Sequence, residues 1–482
     1  MDWGARIGVL GPNEEINQMA VAWIEELRQV IQDPERVVAG PSDLDLHAQD
    51  FSYHPPHRPD AIVYPLNTEE VSAVVRFAQA RKIPVIGYGQ GTSVEGHIIP
   101  IHGGITVDFS RMNRVVALRP KDFVVQVQPG VTRTALNTAL GPHGLFFPVD
   151  PGADASLGGM AATNAAGTEA FRYGAMRQQV LGLEVVLSDG AVARLGGATM
   201  KSSAGYQLVN LFIGSEGTLG LFTELTLKVY PIPQHIAAAR ACFDTVEAAV
   251  NAAMAIISAT ATATRIELMD QETISAVNQV EGTNFPSKAT LFFEFASHHR
   301  SAVLDDLAQS ANLIVEAAGY DFVVEWDPKT RRELWHARHR AALAILAASH
   351  GTRPFTTDTA VPLSELSGAL RHARATLTQY GIQGAVLGHV GDGNYHVVIG
   401  LDPANAAQLK KARMVNDAII RYAWQHGGTC TGEHGIGIGK TRYLQEEKGL
   451  SGLLLWQIKH ALDPGNIFNP GKTLPLASEE SF

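Results

Sequence analysis

Ile86-Gly87-Tyr88-Gly89-Gln90-Gly91-Thr92-Ser93-Val94-Glu95-Gly96-His97-Ile98-Ile99-Pro100 begins as a strand running into three spaced glycines, the opening of a dinucleotide loop. A Rossmann fingerprint must then lead into a helix whose N-terminus faces a pyrophosphate. Val94 to Pro100 follows instead, so the Rossmann reading fails on context. What survives is a loop of backbone N–H groups and hydroxyls able to nest an anion. Taken alone, a structural glycine turn explains it equally well. Two further segments shift the balance. Pro151 to Gly167 (PGADASLGGMAATNAAG) is a long run of tiny side chains, which lets a large planar ligand lie against the backbone. Gly214-Ser215-Glu216-Gly217-Thr218-Leu219-Gly220 is a second glycine-rich loop entering a strand. Three such elements in one region suggest a long, thin ligand.

Working outward, the spacing predicts a leading helix around Glu14 to Gln32, then strand, helix, strand over Asp60 to Val85. Ala61-Ile62-Val63-Tyr64 is strand-like, and Asn67-x-x-Glu70 is a variant capping box. Val71, Val74, Val75 and Ala78 form a helical stripe. Short β-type runs follow at Ile105 to Phe109, Phe123 to Val127, Val180 to Leu187 and Leu219 to Val229, and Pro231 and Pro233 mark a boundary. Ala-rich helices then alternate with strands such as Thr290 to Phe295 and Ala385 to Val390. From Asn405 an amphipathic helix runs to His426, stopped by Gly427-Gly428. The expected organisation is a helical segment over 1–55, an α+β ligand-binding domain over 56–235, an α/β substrate or cap domain over 236–404, and a completing segment over 405–482.

A chain of 482 residues is too long for one core. With 45% hydrophobic and 18% charged residues it reads as an ordinary globular protein. No window approaches the twenty or so apolar residues of a membrane span, and Glu14, Glu15, Glu25 and Glu26 replace the basic start of an export signal. A net charge of -10 argues against nucleic acid as the main partner. Cys242 and Cys430 lie far apart and form no C-x-x-C pair, which argues against a disulfide framework or an iron–sulfur cluster and makes a reducing cytoplasm the default.

The densest chemistry lies further on. Gly388-His389-Val390-Gly391-Asp392-Gly393-Asn394-Tyr395-His396 is followed by Gly432-Glu433-His434-Gly435-Ile436-Gly437. If Asp392-Gly393 forms the centre of a hairpin turn, as Asp-Gly favours, residues whose numbers sum to 785 face each other. His389 and His396 are such a pair. Directly opposed residues have Cβ atoms about 4.5–5.5 Å apart, which suits two imidazoles sharing one ion. Glu433 is the expected third ligand. Nitrogen and oxygen donors suit Zn²⁺ or Mn²⁺, and three protein ligands leave the open positions of a catalytic metal. His434, next in sequence, is the candidate base. A P-loop reading of Gly435 to Thr441 fails because position 434 is histidine.

In their order and combination these segments resemble the FAD-dependent vanillyl-alcohol oxidase and p-cresol methylhydroxylase superfamily, and within it the branch of cytochrome-linked D-lactate dehydrogenases and glycolate oxidase flavoprotein subunits. The resemblance covers roughly Pro56 to Leu474 and implies an α+β fold with a two-subdomain, PCMH-type FAD-binding domain and a C-terminal helical segment that returns to the flavin. It implies that Gly89, Gln90, Gly91, Thr92 and Ser93 cradle the pyrophosphate. Pro151, Gly152, Ser156, Gly158, Gly159, Thr163, Asn164 and Ala165 would then line the flavin and its ribityl chain, and Glu216 and Gly220 would lie near the adenosine half. Asn469 matches a terminal motif at the flavin. The first loop lacks the histidine that tethers FAD in many relatives, so the FAD is expected to be noncovalent. Arg338, in Leu334-Trp335-His336-Ala337-Arg338-His339, matches the family's substrate-carboxylate arginine, whose guanidinium suits a carboxylate. Thr357 and Asp358 fall in a segment that borders the substrate pocket. Its threonines, where hydroxyglutarate enzymes resemble one another in having a lysine, argue against a dicarboxylate.

The implied activity is oxidation of a D-2-hydroxy acid, foremost D-lactate, to the 2-oxo acid. Electrons would pass to a cytochrome, a quinone or an electron-transfer protein. The chain would then be cytoplasmic or peripheral at the membrane through that acceptor, with a homodimer left open. The alternatives are the flavoprotein subunit of a glycolate oxidase complex, a dehydrogenase of a larger 2-hydroxy acid, or a flavin- or metal-binding protein without turnover.

Overall fold

Asn67 caps the helix Thr68–Arg81 by accepting from the Glu70 amide, and the stripe Val71, Val74, Val75 and Ala78 is fully buried beneath it. Burying each valine contributes roughly 1.5–3 kcal/mol. The Glu70 carboxylate accepts from the Leu66 amide and from Arg36, so the capping box closes one residue earlier than the motif predicts. The computed structural model describes residues 23–349 and 351–474. Of the leading helix, residues 23–30 are helical, and the part from Glu14 to residue 22 lies outside the described residues.

Under Thr68–Arg81 lies a four-stranded sheet in the order Val37–Val38, Ala61–Val63, Ile105–Asp108, Val85–Tyr88. Its last three strands are parallel. A second, antiparallel sheet has the order Val115–Arg119, Val124–Val127, Leu221–Lys228, Val180–Val186, Val192–Gly196. Each sheet has its own apolar core. The chain end adds to the first sheet: Val85 donates to the Ile467 carbonyl and accepts from Asn469, beside the strand that leads into the Gly87–Ser93 loop.

The third sheet starts at His235, just past Pro231 and Pro233. Its strands run Tyr320–Glu325, His235–Phe243, Ala289–Ser297, Ala263–Met269, Ala385–His389, Asn394–Leu401, Arg353–Thr356, with Thr359–Ala360 also on Asn394–Leu401. Every pairing in it is antiparallel, so this unit is α+β and not α/β. Ala289–Ser297 is buried on both faces: Leu291, Phe293 and Phe295 enter one core and Phe292 another. That is why Leu291-Phe292-Phe293 is an unbroken apolar run instead of an alternation. The helix Ala406–Gln425, capped by Asn405, places Ala412, Val415, Ile419 and Ala423 in the first of those cores, so residue 405 begins no separate core.

Candidate active site

Between the glycine segments and the third sheet runs a cavity of about 440 Å³. Its wall contains Gly89, Gln90, Gly91, Thr92 and Ser93, then Pro151, Gly152, Ser156, Gly158, Gly159, Thr163 and Ala165, and finally Glu216, Gly220 and Asn469. The run from Pro151 is not open loop throughout. Ser156 caps a short helix, Leu157–Thr163, by accepting from the Gly159 amide. A Cβ on Gly89 would lie 2.2 Å from Ser156 Oγ, so loop and helix approach as closely as only glycine allows. Such a backbone-lined cradle fits FAD. Asn164 is not on the wall: it ends that helix in the left-handed region at φ 54° and accepts from the Arg177 amide.

His396 and Glu433 also line this cavity, and with His389 behind them they bring one ligand atom each to within 4.8 Å of one another. The hairpin register differs from expectation. Leu387 pairs with His396 and His389 with Asn394, a sum of 783, so the loop holds four residues, Val390 to Gly393. A two-residue shift preserves the face, whereas a one-residue shift would reverse it. The histidines are therefore diagonal neighbours, with ring centroids 5.5 Å apart and both Nε2 atoms 3.1 Å from Glu433 Oε1. His396 Nδ1 donates to the Thr357 carbonyl and His389 Nδ1 to Glu267 Oε1, acceptors that require the proton on Nδ1. Both Nε2 atoms are thus presented together with a carboxylate, a donor set that fits a divalent ion. Burial, the largest influence, opposes charge on both His389 and Glu433. Even so, Glu267 and Glu433 hold His389 well above its ordinary range, and the two imidazoles hold Glu433 well below the usual carboxylate range.

His434 stacks on His396 with centroids 4.8 Å apart and planes 13° apart. Its Nδ1 is buried without a hydrogen-bond partner. Burial pushes it down to about 4, so the imidazole stands neutral and able to accept a proton. The loop carrying Glu433 and His434 is tied from two sides. Asp358, fully buried, accepts from the amides of Gly432, Glu433 and His434 and from Thr431 Oγ1, with Asn394 and Lys440 alongside. From the FAD-binding side Glu216 accepts from the Ile436 and Gly437 amides and from Thr473, and lies 3.5 Å from His97 Nε2. Gly437, at φ 51°, leaves no room for a Cβ, which would meet the Glu95 carbonyl at 2.1 Å.

Two family models match the chain: the FAD binding domain over residues 59–196 and the C-terminal domain of FAD linked oxidases over residues 232–473. The chain belongs to the FAD-linked oxidases. As a member it is an FAD-dependent oxidoreductase. Among its relatives, a probable mitochondrial D-lactate dehydrogenase of Danio rerio is 41% identical, over 94% of this chain and 92% of that protein. Glycolate oxidase subunit GlcD of Bacillus subtilis is 32% identical over 90% and 94% respectively. Substrate-bound p-cresol methylhydroxylase shares the fold with a TM-score of 0.76 at 16% identity, over 96% of this chain and 98% of that one. Among the described residues no helix is long and apolar enough to cross a membrane.

In this FAD-linked oxidase three residues expected at the substrate do not reach the cavity. Arg338 is buried, with Nε and Nη2 both directed to Glu267 Oε2 at 3.0 and 2.5 Å; its helix neighbour His339 is on the wall instead. A buried guanidinium requires a carboxylate, and Glu267 supplies it. Thr357 turns inward, its carbonyl holding His396 and its hydroxyl accepting from the Val397 amide. Asp358 is spent on the Gly432–His434 amides. Thr356, one residue before Thr357 and opposite Val398 in the strand pairing, lines the cavity together with Val398. Strand alternation could have exposed the Thr356 and Thr357 distinction, since neighbouring residues face opposite sides. No local signal marks Glu267.

Proposed function

We propose that this FAD-linked oxidase converts a small D-2-hydroxy acid, foremost D-lactate, to the 2-oxo acid, with His434 as base and a divalent ion, Zn²⁺ or Mn²⁺, held by His389, His396 and Glu433. The observation that carries the reading is the neutral His434 ring, its Nδ1 unpartnered, stacked on His396 and sharing the cavity wall with His396, Glu433 and the flavin cradle. His434 takes the hydroxyl proton, for which its low basicity at rest leaves it unoccupied. Bound FAD supplies the acceptor for the hydride that leaves C2. His389, His396 and Glu433 would hold a divalent ion, which would supply Lewis acidity toward the substrate hydroxyl and carboxylate. Thr357 and Glu267 hold the two imidazoles with Nε2 forward, and Asp358 keeps the His434 amide in place. The names of the relatives, D-lactate dehydrogenase and D-lactate dehydrogenase [cytochrome], support lactate as substrate and, of a cytochrome, a quinone or an electron-transfer protein, a cytochrome as electron acceptor.

The described wall carries no Lys or Arg side chain, which disfavours a second carboxylate on the substrate. Ala342, Leu343, Leu346 and Pro354 extend it as apolar surface, an observation that favours a larger, apolar D-2-hydroxy acid as the second reading. The first loop offers no histidine, so FAD is held noncovalently.

Anaerobic flavin bleaching across D- and L-2-hydroxy acids of increasing side-chain length tests the proposal. Bleaching by D-lactate and not by its L isomer is expected, and acid precipitation of the same preparation should release the flavin to the supernatant. Absence of bleaching by every D-acid would sink the reading.

A further inference from the structure

Glu267, on the strand Ala263–Met269, is 1% exposed and absent from the cavity wall. Its two oxygens divide the work. Oε1 accepts the Nδ1 proton of His389 at 2.7 Å, and Oε2 accepts two N–H groups of Arg338. A carboxylate buried this deeply is costly unless paired, and Arg338 is the cation paired with it. The two histidines of the ligand set are therefore unequal. His396 Nδ1 donates to a neutral carbonyl, that of Thr357, with the Asp358 carboxylate farther off at 3.7 Å, while His389 Nδ1 donates directly to a carboxylate clamped by a guanidinium. A carboxylate on the distal nitrogen of a metal-binding imidazole sets its tautomer and raises its basicity as a ligand.

We infer that Glu267 is the positioning residue of the metal site and that Arg338 acts through it, making the affinity of the site for a divalent ion depend on the helix Pro328–His339. The inference rests on the metal reading above. It gives Arg338 a task on the protein's own Glu267, through Nε and Nη2. The same helix presents His339 to the cavity, so the element that meets substrate is the element that holds His389.

The test uses the full-length, FAD-loaded chain, stripped with a chelator and titrated with Mn²⁺ alone, followed by electron paramagnetic resonance, and with Co²⁺ alone, followed by its d–d absorption. Wild type is expected to bind both. Glu267→Gln should bind Mn²⁺ about 10- to 100-fold more weakly, with altered cobalt bands and unchanged flavin content. Arg338→Gln should weaken binding in the same direction by a smaller factor. Because Arg338 works through Glu267, the double variant should be no weaker than Glu267→Gln. Wild-type affinity and spectrum in Glu267→Gln, or additive losses in the double variant, overturn the inference while leaving the metal site standing. A wild-type chain that binds neither ion overturns the metal reading and this inference together. Should Glu267→Gln fail to fold, Arg338→Gln decides alone: weaker binding with altered cobalt bands supports the role, and wild-type values overturn it.

Discussion

Along one cavity, the wall from Gly87 to Ser93 and the wall from Gly432 to His434 are built from opposite materials. The first is backbone with little side chain, shaped by steric allowance: Gly89 meets Ser156 Oγ where any Cβ would collide. The second is charge and hydrogen bonding. Asp358 collects three successive amides there, Glu216 collects two more from the other half of the molecule, and Glu267 and Thr357 orient the imidazoles. A cradle made by glycine is local, so it survives changes elsewhere. A buried polar site depends on remote partners, and each missing partner strands another polar group.

Three substitutions break or sharpen that contrast. His434→Ala should cost the most, lowering flavin reduction by D-lactate about 10²- to 10⁴-fold while FAD and metal content persist. Stopped-flow bleaching measures it, and wild-type reduction would remove the base from His434. Gly89→Val attacks the other wall. Overpacking of about 1–3 kcal/mol corresponds to roughly 5- to 150-fold weaker FAD binding, with Mn²⁺ binding retained; flavin content after dialysis reports it, and parallel loss of metal would show that the two walls are not independent.

An effect of similar size, read on stability and not on ligand binding, is expected at Glu216→Gln, roughly 1–3 kcal/mol with a defined pH dependence. Burial alone would raise the Glu216 carboxyl, but His97, the Ile436 amide and Thr473 pull it down to about 2 from its ordinary 4.5. Its contribution is therefore complete above 4.5 and fades as pH falls toward 2. Burial opposes charge on His97 as well, yet Glu216 raises it above its ordinary 6.5, so its share is complete below 6.5 and fades as pH rises through the elevated value. The deficit of Glu216→Gln relative to wild type should be largest between about pH 4.5 and 6.5. Urea midpoints at three pH values check it, and a pH-independent deficit would exclude the ion pair as its source.

Much of the fold was legible because its signals are local. The Asn67 cap, the Val71 to Ala78 stripe and the glycine stop after His426 depend only on neighbouring residues. The hairpin shows where locality ends. Asp392-Gly393 announced a turn, and parity kept His389 and His396 on one face, yet the register moved by two because the strand pairings of a whole sheet set the loop length. Arg338 was misplaced for the same reason: its type suits any carboxylate, and nothing near it in sequence says that Glu267 is the one within reach.

By itself the sequence determined the glycine-lined loops, the convergence of His389, His396, Glu433 and His434 as one residue set, and membership in a flavin-binding architecture, since each follows from spacing within a segment or from motifs in order. Only the tertiary structure decided which nitrogen each histidine presents, that Asp358 and Glu216 hold the loop from Gly432 to Gly437, and that Arg338 pairs with Glu267. Those contacts join residues up to 221 positions apart. Their partners are selected by burial, because a polar group withdrawn from water must find whatever the fold has placed beside it.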